Sequence, residues 1–323
     1  MKKILMGKGA KQIVEICAQV NKGEQVAIVT EPKMLSIAES IATAVNTKEA
    51  ESTILIMEPR LSDGAEPPKN IAAAMKESDV FISAVYTSIT HTHAVVNATK
   101  NRSRGVMLTQ FEEDMLIDSG VHADFYKAAP ICKNVGKILE NAEKIHLSTT
   151  YGTDLIMSAK GRKSNAMTGI VEKGQFAPVP TIEANVSPLE GSANGKIVCN
   201  ASIPYIGIGI LKESVEVQVE NGMITSITGG SEANILKEDL KSKNDKNVYN
   251  IAEIGVGLNP NCKFIGLMLE DEGVFGSVHI GIGSSITLGG NVKAACHYDL
   301  IMTGVTLKAD DTSIIENGEV LIS

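Results

Sequence analysis

"EQVAIVTEPKMLSIAESIATAVNTKEAESTILIM", residues 24–57, decides the fold class. It holds two short apolar runs, VAIV and ILIM, on either side of "MLSIAESIATAVNT", in which apolar residues recur every three or four positions. The short runs read as buried strands and the segment between them as an amphipathic helix. A strand, a helix of that length and a second strand form a right-handed crossover, which makes the two strands parallel neighbours in one sheet. The rhythm extends outward. "KQIVEICAQV" precedes it as a helix; "PPKNIAAAMKES" (helix), "DVFISAV" (strand), "THAVVNATKN" (helix) and "GVMLTQ" (strand) follow it. The expected first domain, residues 1–142, is an α/β domain with a doubly wound, mostly parallel sheet covered on both faces.

Such a sheet invites a nucleotide, but "VAIVTEPKMLS" has no G-x-G-x-x-G after its strand. "GKGAKQ" precedes a helix without following a strand, and it falls short of a phosphate-binding loop. No nucleotide cofactor is expected.

Beyond residue 143 the pattern changes. "KIHLSTTYGTDLIMSAKG" reads as two strands around a Tyr-Gly-Thr-Asp turn. "SVEVQVENGMITSITGG" is a hairpin, with alternating Val and polar residues and Asn221-Gly222 at the turn, and "NGEVLIS" repeats the device around Asn317-Gly318. Residues 143–323 are expected to form a β-rich α+β domain whose strand ends and Gly-rich turns hold the site.

Composition narrows the function classes. The chain has no Trp and only 4% aromatic residues, which argues against a stacking platform for sugars or single-stranded nucleic acid. A net charge of -8 without a basic stripe disfavours polyanion partners, so no nucleic acid is expected. The five cysteines lack any C-x-x-C spacing and read as reduced thiols. No signal-peptide core and no membrane span is evident, so the expected location is the cytoplasm.

The chemistry gathers in the second half. In "ACHYDLIMTG", residues 295–304, His297 and Asp299 lie two apart in a strand pattern and share one face, about 6–7 Å apart along the chain. That is either a pair of metal ligands or a hydrogen-bonded pair ordering a strand end. His279 sits in "EDEGVFGSVHIGIG", Glu253 in the apolar "IAEIGVGLNPN", and Glu183 between prolines in "FAPVPTIEANVSPLEG". A carboxylate in an apolar strand is costly to bury unless paired or metal-bound. Two imidazoles and three carboxylates suit zinc, manganese, cobalt or iron(II), and suffice for two ions sharing a carboxylate. Elsewhere His91 and His93 form an H-x-H read as capping or solvent-facing residues, while His122 and His146 stand alone. Glu270, Asp271 and Glu272 read as a solvated loop that could also attract a substrate ammonium.

The order Pro-Thr-x-Glu, Asn-Gly, Ala-Glu-x-Gly-x-Gly-Leu-Asn-Pro, His-Ile-x-x-Gly and His-x-Asp resembles the aminopeptidase T family of metallopeptidases, nearest its shorter bacterial and archaeal leucyl aminopeptidase branch. The resemblance implies two divalent ions (Zn, Co or Mn) held by Glu183, Glu253, His279, His297 and Asp299. It also implies hydrolysis of short peptides by a metal-activated water, with Glu183 as both ligand and candidate general base. By the same resemblance the chain is a homodimer or higher homo-oligomer. One position departs: the peptidases carry a tyrosine seven residues after the ligand histidine, and here it is Ile286. Tyr205 and Tyr298 are the candidates to replace it.

More distantly the sequence is similar to the 2,5-dihydroxypyridine 5,6-dioxygenases, which hold one iron(II) with two histidines and an aspartate. They share the closing H-x-D and have a histidine at the position of Glu253. The carboxylate in this chain leads to the expectation of two cations and hydrolysis, with the iron dioxygenase or a non-catalytic binding relative as alternatives.

Overall fold

The computed structural model describes residues 2–323, and the chain folds into two compact units. One comprises residues 1–129 with 167–181, the other residues 130–166 with 182–323.

The first unit is built on a parallel sheet of five strands: Glu51–Ile56, Gln25–Thr30, Val80–Val85, Arg104–Thr109 and Phe176–Pro178, in that spatial order. The chain winds one way from the second of these strands and then back past it, as a doubly wound sheet requires. Helix Leu35–Thr47 packs on the first two strands and against helix Lys2–Gln12, while helices Lys69–Glu77 and His93–Lys100 pack on each other. The central strands Val80–Val85 and Arg104–Thr109 are buried throughout, whereas the edge strand Glu51–Ile56 alternates toward solvent. Phe81, Met107, Val29, Met75 and Val95 form the core between sheet and helices.

The second unit carries two antiparallel sheets, of eight and seven strands. The hairpins read from sequence are present. Val215–Glu220 pairs with Met223–Thr228 around Asn221 and Gly222, both at positive φ as a two-residue turn needs. Asn317 and Gly318 repeat that geometry at the end of the chain. Ile145–Thr149 and Asp154–Met157 flank the Tyr-Gly-Thr-Asp turn.

The units interleave along the chain rather than dividing once at residue 142. Residues 130–142 group with the second unit, and 167–181 return to the first to add Phe176–Pro178 to the parallel sheet. That three-residue strand lies among Pro178, Pro180 and Gly174 and has no alternation to read. No helix among the described residues is long and apolar enough to cross a membrane.

Candidate metal centre

The seven-stranded sheet brings the candidate ligands together. Glu183 opens strand Glu183–Val186, Glu253 lies in Ile251–Gly257, His279 in Val278–Gly283, and His297 and Asp299 in His297–Met302. These four strands are consecutive neighbours, so residues far apart in sequence stand side by side.

Their partners across the ladder are glycines. Gly257 faces Glu183, Gly255 faces His279, Gly281 faces both Glu253 and Asp299, and Gly283 faces His297. A Cβ on Gly255 would lie 2.0 Å from His279 Nε2, and one on Gly281 would lie 2.7 Å from His297 Cε1. The alternating glycines of "EIGVG" and "HIGIG" thus sit on the ligand face of the sheet, where only a missing side chain leaves room for imidazole and carboxylate.

Glu253 is central. Its Oε2 lies 3.0 Å from His297 Nε2, and its Oε1 lies 3.9 Å from His279 Nε2. His279 Nε2 is 3.5 Å from Glu183 Oε2, and His297 Nε2 is 3.4 Å from Asp299 Oδ1. Two compact ligand groups result, Glu183–Glu253–His279 and Glu253–His297–Asp299, with Glu253 in both.

A divalent cation fits these residues. Glu183 Oε2 and Asp299 Oδ1 are buried and accept no hydrogen bond, although their sister oxygens do. An uncompensated buried carboxylate oxygen is costly, and a cation beside it relieves the cost. The supporting bonds point the same way. Asn185 donates to Glu183 Oε1 (2.8 Å) and is itself held by Asn165 (2.8 Å). The Nδ1 of His297 lies 2.8 Å from the Ser284 carbonyl, a bond that leaves Nε2 free to bind a metal.

Charge crowding shapes the titration of the group. Burial pushes Glu183 up to about 7, with the Glu253 and Asp299 charges adding to burial and His279 and Asn185 opposing it. Burial would also raise Glu253, but the imidazoles of His279 and His297 beside it outweigh burial and hold the carboxyl below its ordinary value. Asp299 is likewise held low by His297 against burial. Burial lowers both histidines, yet the surrounding carboxylates prevail: His279 rises to about 9 and His297 lies well above the ordinary imidazole value.

Two residues at the site escaped the sequence reading in part or whole. Glu270, Asp271 and Glu272 are not a solvated loop; all three are buried. Asp271 accepts from Ser202 Oγ and from the backbone N–H groups of Ile265 and Gly266, a structural role. Glu272 reaches the centre: the Tyr205 hydroxyl lies 2.9 Å from its Oε1 and 2.6 Å from Asp299 Oδ2, its single proton serving one of the two bonds. Burial, then the charges of Asp299 and Glu183, push Glu272 well above its ordinary value. The only sequence signal for it was acidic residues shortly before the ligand histidine. Of the two candidate tyrosines, Tyr205 touches the candidate ligand Asp299, whereas the Tyr298 hydroxyl donates to Asp239. Ile286 stands half exposed in a short turn.

The remaining histidines lie elsewhere. His93 opens its helix, with Thr92 as cap and Glu66 accepting from the His93 N–H, and both His91 and His93 are exposed. His146 pairs with Asp154 at 2.8 Å, and His122 Nε2 lies 3.1 Å from the Leu116 carbonyl.

Known proteins resemble this arrangement at two depths. The structure of 2,5-dihydroxypyridine dioxygenase from Pseudomonas putida KT2440 superposes with a TM-score of 0.83 at 19% identity, covering 99% of this chain and 97% of that one. Wild-type AmpT, the aminopeptidase T of Thermus thermophilus, superposes with a TM-score of 0.70 at 12% identity over the whole of both chains. At these identities both likenesses concern the fold. In sequence, the 2,5-dihydroxypyridine 5,6-dioxygenase of Pseudomonas putida is 26% identical over 197 residues, 57% of this chain and 56% of that protein. The match therefore spans little more than half of the relative's length. The kinship expected to be the more distant one is thus the one that sequence supports, and the peptidase likeness remains at the level of fold. The family described as NicX, 2,5-dihydroxypyridine 5,6-dioxygenase, matches residues 8–322, and the chain belongs to it.

Proposed function

We propose that the chain is a metal-dependent enzyme that opens an electron-rich ring of the dihydroxypyridine class with dioxygen, using iron(II) held by Glu253, His297 and Asp299. The observation that carries this reading is the compact grouping of those three side chains in a chain that matches the dioxygenase family from residue 8 to 322. When bound, the ion supplies the one-electron chemistry that dioxygen requires.

The protein's own groups then have distinct tasks. The Ser284 carbonyl keeps the His297 proton on Nδ1 and its Nε2 toward the ion. Asn185 ties Glu183 Oε1, so Oε2 is the oxygen that takes a proton from a ring hydroxyl. A carboxyl near 7 is suited to that transfer at neutral pH.

One observation favours a second reading. Glu253 belongs to both ligand groups, so with Glu183 and His279 it completes a second cation position. Two ions bridged by Glu253 would suit hydrolysis of short peptides or small amides by a metal-activated water.

Elemental analysis of protein purified without chelator separates the two, followed by assay. One iron per chain, with oxygen-dependent loss of 2,5-dihydroxypyridine absorbance after anaerobic iron loading, supports the first. Two cations per chain, with oxygen-independent release of amino acids under zinc, cobalt or manganese, overturns it in favour of the second. Turnover of neither substrate class under any of these metals leaves a binding role.

A further inference from the structure

Tyr205 lies in "IPYIGIGI", residues 203–210, a stretch that carries no metal-site pattern. The loop is tightly wound. Tyr205 N donates to the Ile203 carbonyl (2.8 Å), Ile208 N donates to the Tyr205 carbonyl (3.0 Å), and Ile206, Gly207 and Gly209 all have positive φ. The Tyr205 ring packs on that of Tyr298, with centroids 5.0 Å apart and planes inclined by 36°. Tyr298 is anchored in turn by its own hydroxyl, which donates to Asp239 Oδ2 at 2.9 Å. The Tyr205 hydroxyl therefore rests on a fixed support, 2.6 Å from Asp299 Oδ2 and 2.9 Å from Glu272 Oε1.

We infer that Tyr205 is a positioning residue of the metal centre: its hydroxyl holds Asp299 Oδ2 and so reserves Oδ1 for the cation, while Glu272 holds the hydroxyl in place. The two oxygens of Asp299 are unequal. Oδ2 accepts from Tyr205, whereas Oδ1 faces His297 Nε2 at 3.4 Å and accepts no hydrogen bond. An untied carboxylate can turn to offer either oxygen or both; one tied at Oδ2 binds through Oδ1 alone. Tyr205 thereby brings a tyrosine hydroxyl to the ligands from a different segment than the position occupied here by the half-exposed Ile286. The inference rests on Asp299 being a ligand and is independent of which reaction the centre performs.

Cobalt(II) tests it, because its visible spectrum reports ligand number and geometry. Tyr205→Phe removes one oxygen and keeps the ring stack. It should weaken cobalt binding, measured by chelator competition, by about 10- to 100-fold and alter the cobalt spectrum. Tyr298→Phe, which loosens the supporting ring but leaves the Tyr205 hydroxyl on Asp299, should change affinity and spectrum less than Tyr205→Phe does. Since the chain has six Tyr and no Trp, a second readout is available in the wild-type protein: zinc should perturb the near-ultraviolet tyrosine absorption. That signal should persist in Tyr298→Phe, and it keeps the test open should Tyr205→Phe fold poorly. Cobalt affinity within about twofold of wild type with an unchanged spectrum in Tyr205→Phe, or no tyrosine perturbation by zinc, would overturn the inference. Failure of the wild-type chain to bind cobalt or zinc at all would instead refute the metal centre itself.

Discussion

Gly255 and His279 face each other across paired strands so closely that a Cβ on the glycine would lie 2.0 Å from the imidazole Nε2. The ligand face of the sheet is therefore defined as much by what is missing as by what is present. Gly255 has ordinary strand backbone, so its identity is a matter of space rather than of φ.

Gly255→Ala should consequently act as a site mutation. The added methyl displaces His279, at a cost of about 1–3 kcal/mol if the strands spread to accommodate it. Metal content and activity should fall together while the melting temperature drops by only a few degrees. Elemental analysis beside a thermal melt checks this; full metal occupancy in the variant would show that the face tolerates a side chain.

How much of this was legible in the sequence follows from the periodicities. The β-α-β rhythm of residues 24–57 was readable because buried parallel strands are continuous apolar runs and the helix between them has one apolar face. His297 and Asp299 were readable as one face because a strand repeats every two residues. The same rule would have placed Gly255 and Gly257 beside Glu253, and Gly281 and Gly283 beside His279, as a cradle. Glu272 and Tyr205 were not legible as a pair: their contact spans 67 residues and depends on tertiary folding. Nor was the burial of the acidic run, since three adjacent carboxylates ordinarily face water.

The proton-rich ligand set predicts a pH-dependent metal affinity. Glu183 near 7 and His279 near 9 both hold protons more tightly in the folded protein than their ordinary values of 4.5 and 6.5 imply. A cation must displace those protons, so apparent affinity should rise from pH 6 to about 9, with proton release measurable in weakly buffered solution. The metal-free protein should show the opposite slope. Between each ordinary value and its raised one the native state binds more protons than the unfolded chain, so stability falls as pH rises. For Glu183 that window is about 4.5 to 7, and for His279 about 6.5 to 9. Chemical denaturation across pH in the presence of chelator measures it, and a flat profile would contradict the assignment.

Arg104 should matter for stability alone. Its guanidinium is nearly buried and bonds Glu24 at 2.5 and 3.0 Å and the carbonyls of Ala18 and Gln19 at 2.7 and 2.8 Å. It fixes the end of the first helical segment to the start of the sheet within the first unit. Arg104→Ala leaves Glu24 without its partner and two carbonyls without donors, a loss of about 3 kcal/mol. Denaturant unfolding should detect that, while metal content per folded chain stays at the wild-type level.

Glu253 is the residue on which the two reactions diverge, and its replacement tests them most directly. A carboxylate offers two oxygens, one toward each ligand group; an imidazole directed at a single ion cannot bridge. Glu253→His keeps a ligand, now a nitrogen, beside His297 and Asp299 while removing the second carboxylate oxygen. If the centre works with one iron, the variant should still bind about one iron per chain and keep ring-opening activity within roughly tenfold of wild type. If it works with two bridged cations, the variant should lose the second ion and at least about 100-fold in hydrolysis, since the bridge cannot be rebuilt. Glu253→Ala, which removes both possibilities, should abolish activity in either case. Gly281, opposite residue 253, has no side chain to obstruct the larger ring, so failure to fold is not the expected outcome. Elemental analysis of the two variants beside the wild type, with both substrates assayed, decides between the reactions.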